Sequence, residues 1–308
     1  MKKFPRNLIE NALAVEKPLG DSQGSLSGQL TTGQCATLAC LLEVTSPKPG
    51  NVHRSADFAS LTFVDFITSA VAIGPAMDGA VSFSLGSTVL TAIQATRRVV
   101  TTNTNLGTVL LLAPLAAVPR SEDLDSGVCR ILDALNASDA EEIYAAIRLA
   151  DPGGLGEVAC HDISASPPVD LMAAMSEAAA RDLVAQQYTN GFRQVLDVVV
   201  PWIVDRCDRG GCLTDAVIYA QLRLMNEFPD SLIARKCGTE IALESAARAE
   251  SALALVELDK EDFWYAVSDF DFWLRSDGNR RNPGTTADFI AAGLFVALRD
   301  QLISPPFY

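Results

Sequence analysis

The 308-residue sequence predicts an all-α protein, one compact multi-helix domain with buried central helices. Three observations carry that expectation. Apolar residues recur with the 3.6-residue helical period from about residue 34 onward, and alternating runs are almost absent, "VLDVVVPWIV" (195–204) being the one ambiguous stretch. Apolar residues make up 49% of the chain but aromatics only 7%, so Ala, Leu, Val and Ile must build the core, which suits close helix packing. Two segments, "LGTVLLLAPLAAV" (106–118) and "FIAAGLFVALR" (289–299), are apolar on every face, and a helix of that kind belongs inside.

Taken in order, residues 1–33 form an expected flexible lead-in, Gly- and Ser-rich over "PLGDSQGSLSGQLTTG" (18–33), and 34–308 the helical domain. Helices are expected over 34–45, 60–73, 86–100, 105–118, 123–135, 139–150, 169–187, 191–207, 212–227, 239–257, 260–274 and 286–302, with Ser138 and Asp230-Ser231 among the caps. No fixed-period repeat is present, which argues against a solenoid. The basic start lacks a continuous apolar stretch, and the longest apolar run, Val109 to Val118, is about half a membrane span. A soluble cytoplasmic protein with no membrane partner is expected. The net charge of −14 disfavours nucleic acid, although a few cations or Mg²⁺ can reverse the field locally around a phosphorylated small molecule. The seven cysteines form no regular framework and read as reduced thiols. Cys207 and Cys212 bracket "DRGG" but lack a second pair for zinc.

Chemistry concentrates in five clusters. On the first expected helix, Ala36, Ala39, Cys40 and Glu43 share one face, which would draw Glu43 inward, where it needs a cation or a metal. Lys48 follows on "SPKPGNVHR" (46–54), a stiff turn that also holds Asn51, His53 and Arg54. The two all-apolar helices are each preceded by a polar cluster, "TTNTN" (101–105) and "NRRNPGTTAD" (279–288). Such a helix start can bind an anion or can simply be capped, Thr285 with Asp288 resembling a capping box. "DPGGLGEVACHDI" (151–163) places Gly153 and Gly154 in a loop and His161 beside Asp162, and "PDSLIARKCG" (229–238) sets Arg235 and Lys236 at a helix end.

In this order the clusters resemble the triphosphoribosyl-dephospho-CoA synthase family, as a divergent, archaeal-type branch, over about residues 35–300. The resemblance is most specific at Glu43 with "PKPG" and at "NPGTTAD" (282–288). It implies an all-helical fold and a reaction in which the triphosphoribosyl group of ATP passes to a ribose hydroxyl of 3′-dephospho-CoA as adenine leaves. Where the synthases usually read Thr-His-Lys-Gly, this chain has Thr104-Asn105-Leu106-Gly107. Where they typically continue Leu-Val-Asp-Arg after the prolines, it has Asn51-Val52-His53-Arg54.

Such chemistry passes through an oxocarbenium-like centre and wants an acid and a base. Expected catalytic residues are Glu43, Asp162, Asp288 and His53, with Glu43, Asp162 and Asp288 as Mg²⁺ ligands. Phosphate and ribose contacts are expected from Lys48, Asn51, Arg54, Asn103, Thr104, Asn105, Gly153, Gly154, His161, Arg235, Lys236, Asn282, Thr285 and Thr286. Two other readings stay open: the same nucleotide chemistry with a different acceptor, and a catalytically inactive nucleotide-binding protein. The oligomeric state is not legible in the sequence.

Overall fold

The computed structural model describes residues 29–152, 170–258 and 260–307. Gly153, Gly154, His161 and Asp162 fall outside the described residues. Among the described residues fourteen α-helices account for the fold: α1 (Thr32–Thr45), α2 (Phe63–Gly79), α3 (Leu85–Val99), α4 (Leu106–Ala116), α5 (Leu124–Asp133), α6 (Ala137–Ala150), α7 (Leu171–Ala178), α8 (Leu183–Asn190), α9 (Val200–Asp208), α10 (Leu213–Glu227), α11 (Ser231–Cys237), α12 (Thr239–Leu253), α13 (Lys260–Arg275) and α14 (Gly284–Arg299). The described residues contain no sheet, only the isolated bridges His53–Ala56 and Phe58–Leu61. None of their helices is long and apolar enough to cross a membrane.

The two all-apolar segments are central. Every α4 residue except Gly107 is buried, as is α14 from Phe289 to Arg299. These helices pack on each other, and α1 and α2 close one side. The α1–α2 approach requires glycine: a Cβ on Gly33 would stand 2.2 Å from the Gly74 carbonyl oxygen. Gly33 N–H also donates to Asp78 Oδ1 at 2.6 Å, so the α2 end caps the α1 start. A second apolar cluster joins α10, α11, α12 and α13 through Leu222, Ile233, Ala249 and Phe270.

Several element ends differ from expectation for local reasons. Helix α2 starts at Phe63, where Thr62 and Asp65 form a capping box, and it continues through Pro75 to Gly79. The expected 169–187 helix is two, because Asp182 caps a fresh start with Val184 N–H and Ala185 N–H. The expected 191–207 helix, which holds the ambiguous 195–204 run, enters as a π-helix over Gln194–Val199, after Gly191 ends α8 at φ +71°. Asn136, not Ser138, caps α6, accepting from Ser138 N–H and Asp139 N–H. Helix α14 has no side-chain cap of its own, so Thr285 and Asp288 do not form a capping box.

Candidate active site

The small-residue face of α1 does draw its carboxylate inward. Ala36 and Ala39 are fully buried and Glu43 is 8% exposed. Lys48 reaches back to it, with Nζ 2.7 Å from Glu43 Oε1 and 2.6 Å from the Glu43 carbonyl oxygen. The lysine is wholly buried, so its charge is spent inside the protein on Glu43.

The proline turn is held from three sides. Gly50 takes φ +75° and donates its N–H to Asp271 Oδ1 at 2.7 Å. Gln221 Nε2 donates to the Pro49 carbonyl at 2.9 Å and to Asn51 Oδ1 at 3.0 Å. Asn51 Nδ2 donates to Asn282 Oδ1 at 2.7 Å and to the Pro283 carbonyl at 3.2 Å, tying this turn to the start of α14.

Above these groups opens a cavity of about 980 Å³, within the range of small-molecule sites. Its floor is the place where α4 and α14 begin. Asp288, on the first turns of α14, leans onto the N-terminus of α4 and accepts from the Thr108 hydroxyl at 2.5 Å. Only glycine permits this: a Cβ on Gly107 would lie 2.0 Å from Asp288 Oδ2. Burial pushes the Asp288 pKa up to about 8, with the charges of Glu43 and Asp230 adding to the rise and the Thr108 bonds opposing it. Cys40 also faces the cavity, its thiol pKa raised by burial and then by Glu43.

Both helix starts carry side-chain partners. At α4, Asn103 Oδ1 accepts from Leu106 N–H at 3.1 Å, and Asp288 is bonded by Thr108. At α14, Asp230 Oδ2 accepts from both the N–H and the hydroxyl of Thr286, each at 2.7 Å. Asn105 turns its Nδ2 to Thr96 Oγ1 at 3.0 Å, and Thr104 shares a 2.5 Å hydroxyl contact with Ser69.

Of the expected site residues, Glu43, Asn51, Asn103, Thr104, Asn105, Arg235, Lys236, Asn282, Thr285 and Asp288 line this one cavity. Among the described residues, Lys48, His53, Arg54 and Thr286 are not on its wall. His53 lies in a short bridge with Ala56, and its pKa is lowered by burial and then by Arg275, which favours the neutral ring. Arg54 is exposed. The wall also carries Arg97, Arg148 and Arg181, which sequence reasoning missed. Arg97 had one usable signal, its position just before "TTNTN", where its guanidinium now bonds the Thr101 carbonyl. Arg235 pairs with Asp182, and burial lowers the Lys236 pKa. The described residues include no group of three His, Cys, Asp or Glu side chains able to hold a metal ion.

The pattern of the ATP:dephospho-CoA triphosphoribosyl transferase family matches residues 29–306, and the chain belongs to that family. In fold it is similar to the solved structure of an Archaeoglobus fulgidus protein assigned as a triphosphoribosyl-dephospho-CoA synthase. That likeness has a TM-score of 0.58 at 23% identity and covers 76% of this chain and 99% of the other. No curated protein sequence matches the chain.

Proposed function

We propose that the chain carries out its family's reaction in the cavity bounded by Glu43 and Asp288. It is a transferase that moves the triphosphoribosyl group of ATP onto a ribose hydroxyl of 3′-dephospho-CoA and releases adenine. The observation that supports this site most is Asp288. It is a carboxyl with its pKa raised to about 8, set against an ion-paired carboxylate, Glu43, on the wall of the same cavity. Two carboxyl groups in unlike environments are the usual division between acid and base.

In this reading the C1′–N9 bond of ATP breaks and adenine departs with the electron pair, taking the Asp288 proton. The hydroxyl oxygen forms the new bond to C1′ and gives its proton to Glu43. Lys48 acts from behind the wall, holding Glu43 in place through its ion pair. Arg97, Arg148, Arg181, Arg235 and Lys236 receive the phosphates of the two substrates. Asn51, Asn103, Thr104, Asn105, Asn282 and Thr285 offer hydrogen bonds to ribose and phosphate, while Thr286 supports the wall through Asp230. His53 and Arg54 have no part in the bond-making steps.

Mg²⁺ is read as arriving on the triphosphate. This ion usually keeps water and phosphate oxygens and takes only one or two carboxylates. The ion would be held by the phosphate oxygens and water, since Asp288 carries its proton and Glu43 is paired with Lys48, and it would neutralise charge along the phosphate chain. The test is incubation with ATP, Mg²⁺ and 3′-dephospho-CoA followed by mass spectrometry. Adenine together with a triphosphoribosyl adduct of the acceptor is expected. Adenine without adduct would make the protein a hydrolase, and neither product would overturn the reading.

A further inference from the structure

The cavity depends on a residue that does not line it. Asp230 is 1% exposed, and its two oxygens serve two different helices. Oδ1 accepts from Leu232 N–H at 2.9 Å and Ile233 N–H at 3.0 Å, capping α11. Oδ2 accepts from the Thr286 N–H and hydroxyl, each at 2.7 Å, and supplies the side-chain cap that α14 lacks from its own N-cap residue. Two neighbouring contacts close the same joint. Ser231 Oγ lies 3.1 Å from Thr285 Oγ1, and Leu232 sits so near α14 that a Cβ on Gly284 would be 2.6 Å from its Cδ2.

We propose that Asp230 is a positioning residue of the transfer reaction, a single carboxylate that locks the start of α14 to α11 and thereby holds Asp288 opposite the α11 cations. The inference rests on the catalytic reading of Asp288 given above. Its logic is geometric. Helix α14 presents Asp288 to the cavity half a turn after Thr286, and α11 presents Arg235 and Lys236 to the same cavity one turn after the capped amides. Misplacing a reacting group by about 1 Å can cost on the order of 100-fold in rate. Buried N–H groups left facing an amide N–H₂ would push this joint apart.

The experiment measures kcat and KM for adenine release in the full-length Asp230→Asn and Thr286→Val variants. Each is normalised to folded protein and read beside its melting temperature. The expected result is a kcat per folded molecule at least about tenfold lower for Asp230→Asn and a few-fold lower for Thr286→Val, with KM values within about twofold. A purely structural role would lower the melting temperature and leave kcat per folded molecule intact; that result in both variants overturns the proposal. If Asp230→Asn does not fold, Thr286→Val decides, since it deletes one hydroxyl bond and keeps the carboxylate. Asp288→Asn measured alongside separates the two claims. Full activity there contradicts the role of Asp288 itself, whereas an inactive Asp288→Asn beside unaffected Asp230 and Thr286 variants contradicts only the positioning role.

Discussion

Single residues set the chemistry, and the clearest case is Gly107. Alanine would favour the α4 helix by up to about 1 kcal/mol, yet its methyl carbon would stand 2.0 Å from Asp288 Oδ2. Gly107→Ala is therefore expected to remain folded and to lose most of its adenine release, which a melt and an activity assay on one preparation would establish. Lys48 offers a second test. Its ammonium is the cation paired with buried Glu43. Lys48→Met should cost about 3–5 kcal/mol in denaturant unfolding, and adding Glu43→Gln should restore part of it. Glu43 and Lys48 were legible in the sequence because a small-residue helix face pulls whatever it carries into the core. The direction of the lysine was not: the sequence puts a cation near the site but cannot say whether its charge faces substrate or protein.

Elements decide how these residues meet. The two all-apolar helices stood out as central because no surface could accept them, but the use of their starts did not. Local spacing reads Thr285 and Asp288 as a capping box, and the fold instead sends Asp288 to α4 and brings Asp230 from α11 to α14. Such exchange of caps is long-range, so no pattern within one helix reports it. The same holds for Arg148 and Arg181, which have no motif around them and reach the cavity only because α6 and the α7–α8 turn line it. Lys236→Met and Arg148→Gln should each raise a substrate KM by roughly tenfold if they meet phosphate, the loss of one charge-assisted contact. Steady-state kinetics with both substrates varied would check this.

At the scale of the whole molecule, a strongly acidic chain still brings Arg97, Arg148, Arg181, Arg235 and Lys236 to one cavity wall, beside the carboxyls of Glu43, Asp151, Glu177, Asp182 and Asp288, so its net charge says little about what it binds. Burial of Asp288 links that wall to pH. A carboxyl raised to about 8 holds in the folded protein a proton that the unfolded chain releases near pH 4. Its contribution to stability is full below about pH 4 and is lost as pH rises toward 8. Asp288→Asn should consequently gain stability relative to the native sequence across that window, by about 1–3 kcal/mol after allowance for water in the cavity. Urea unfolding at pH 5 and pH 8 would show it. The rate should change in the same window, because an acid must carry its proton: adenine release is expected to fall as pH rises through about 8.

The role of the two carboxyl groups is tested most directly by adenine release, with ATP, Mg²⁺ and 3′-dephospho-CoA, from folded Glu43→Gln and Asp288→Asn proteins beside the native sequence. Loss of at least about 100-fold in both, with helical content unchanged, is the predicted result. Native-like release from either one would contradict the assignment.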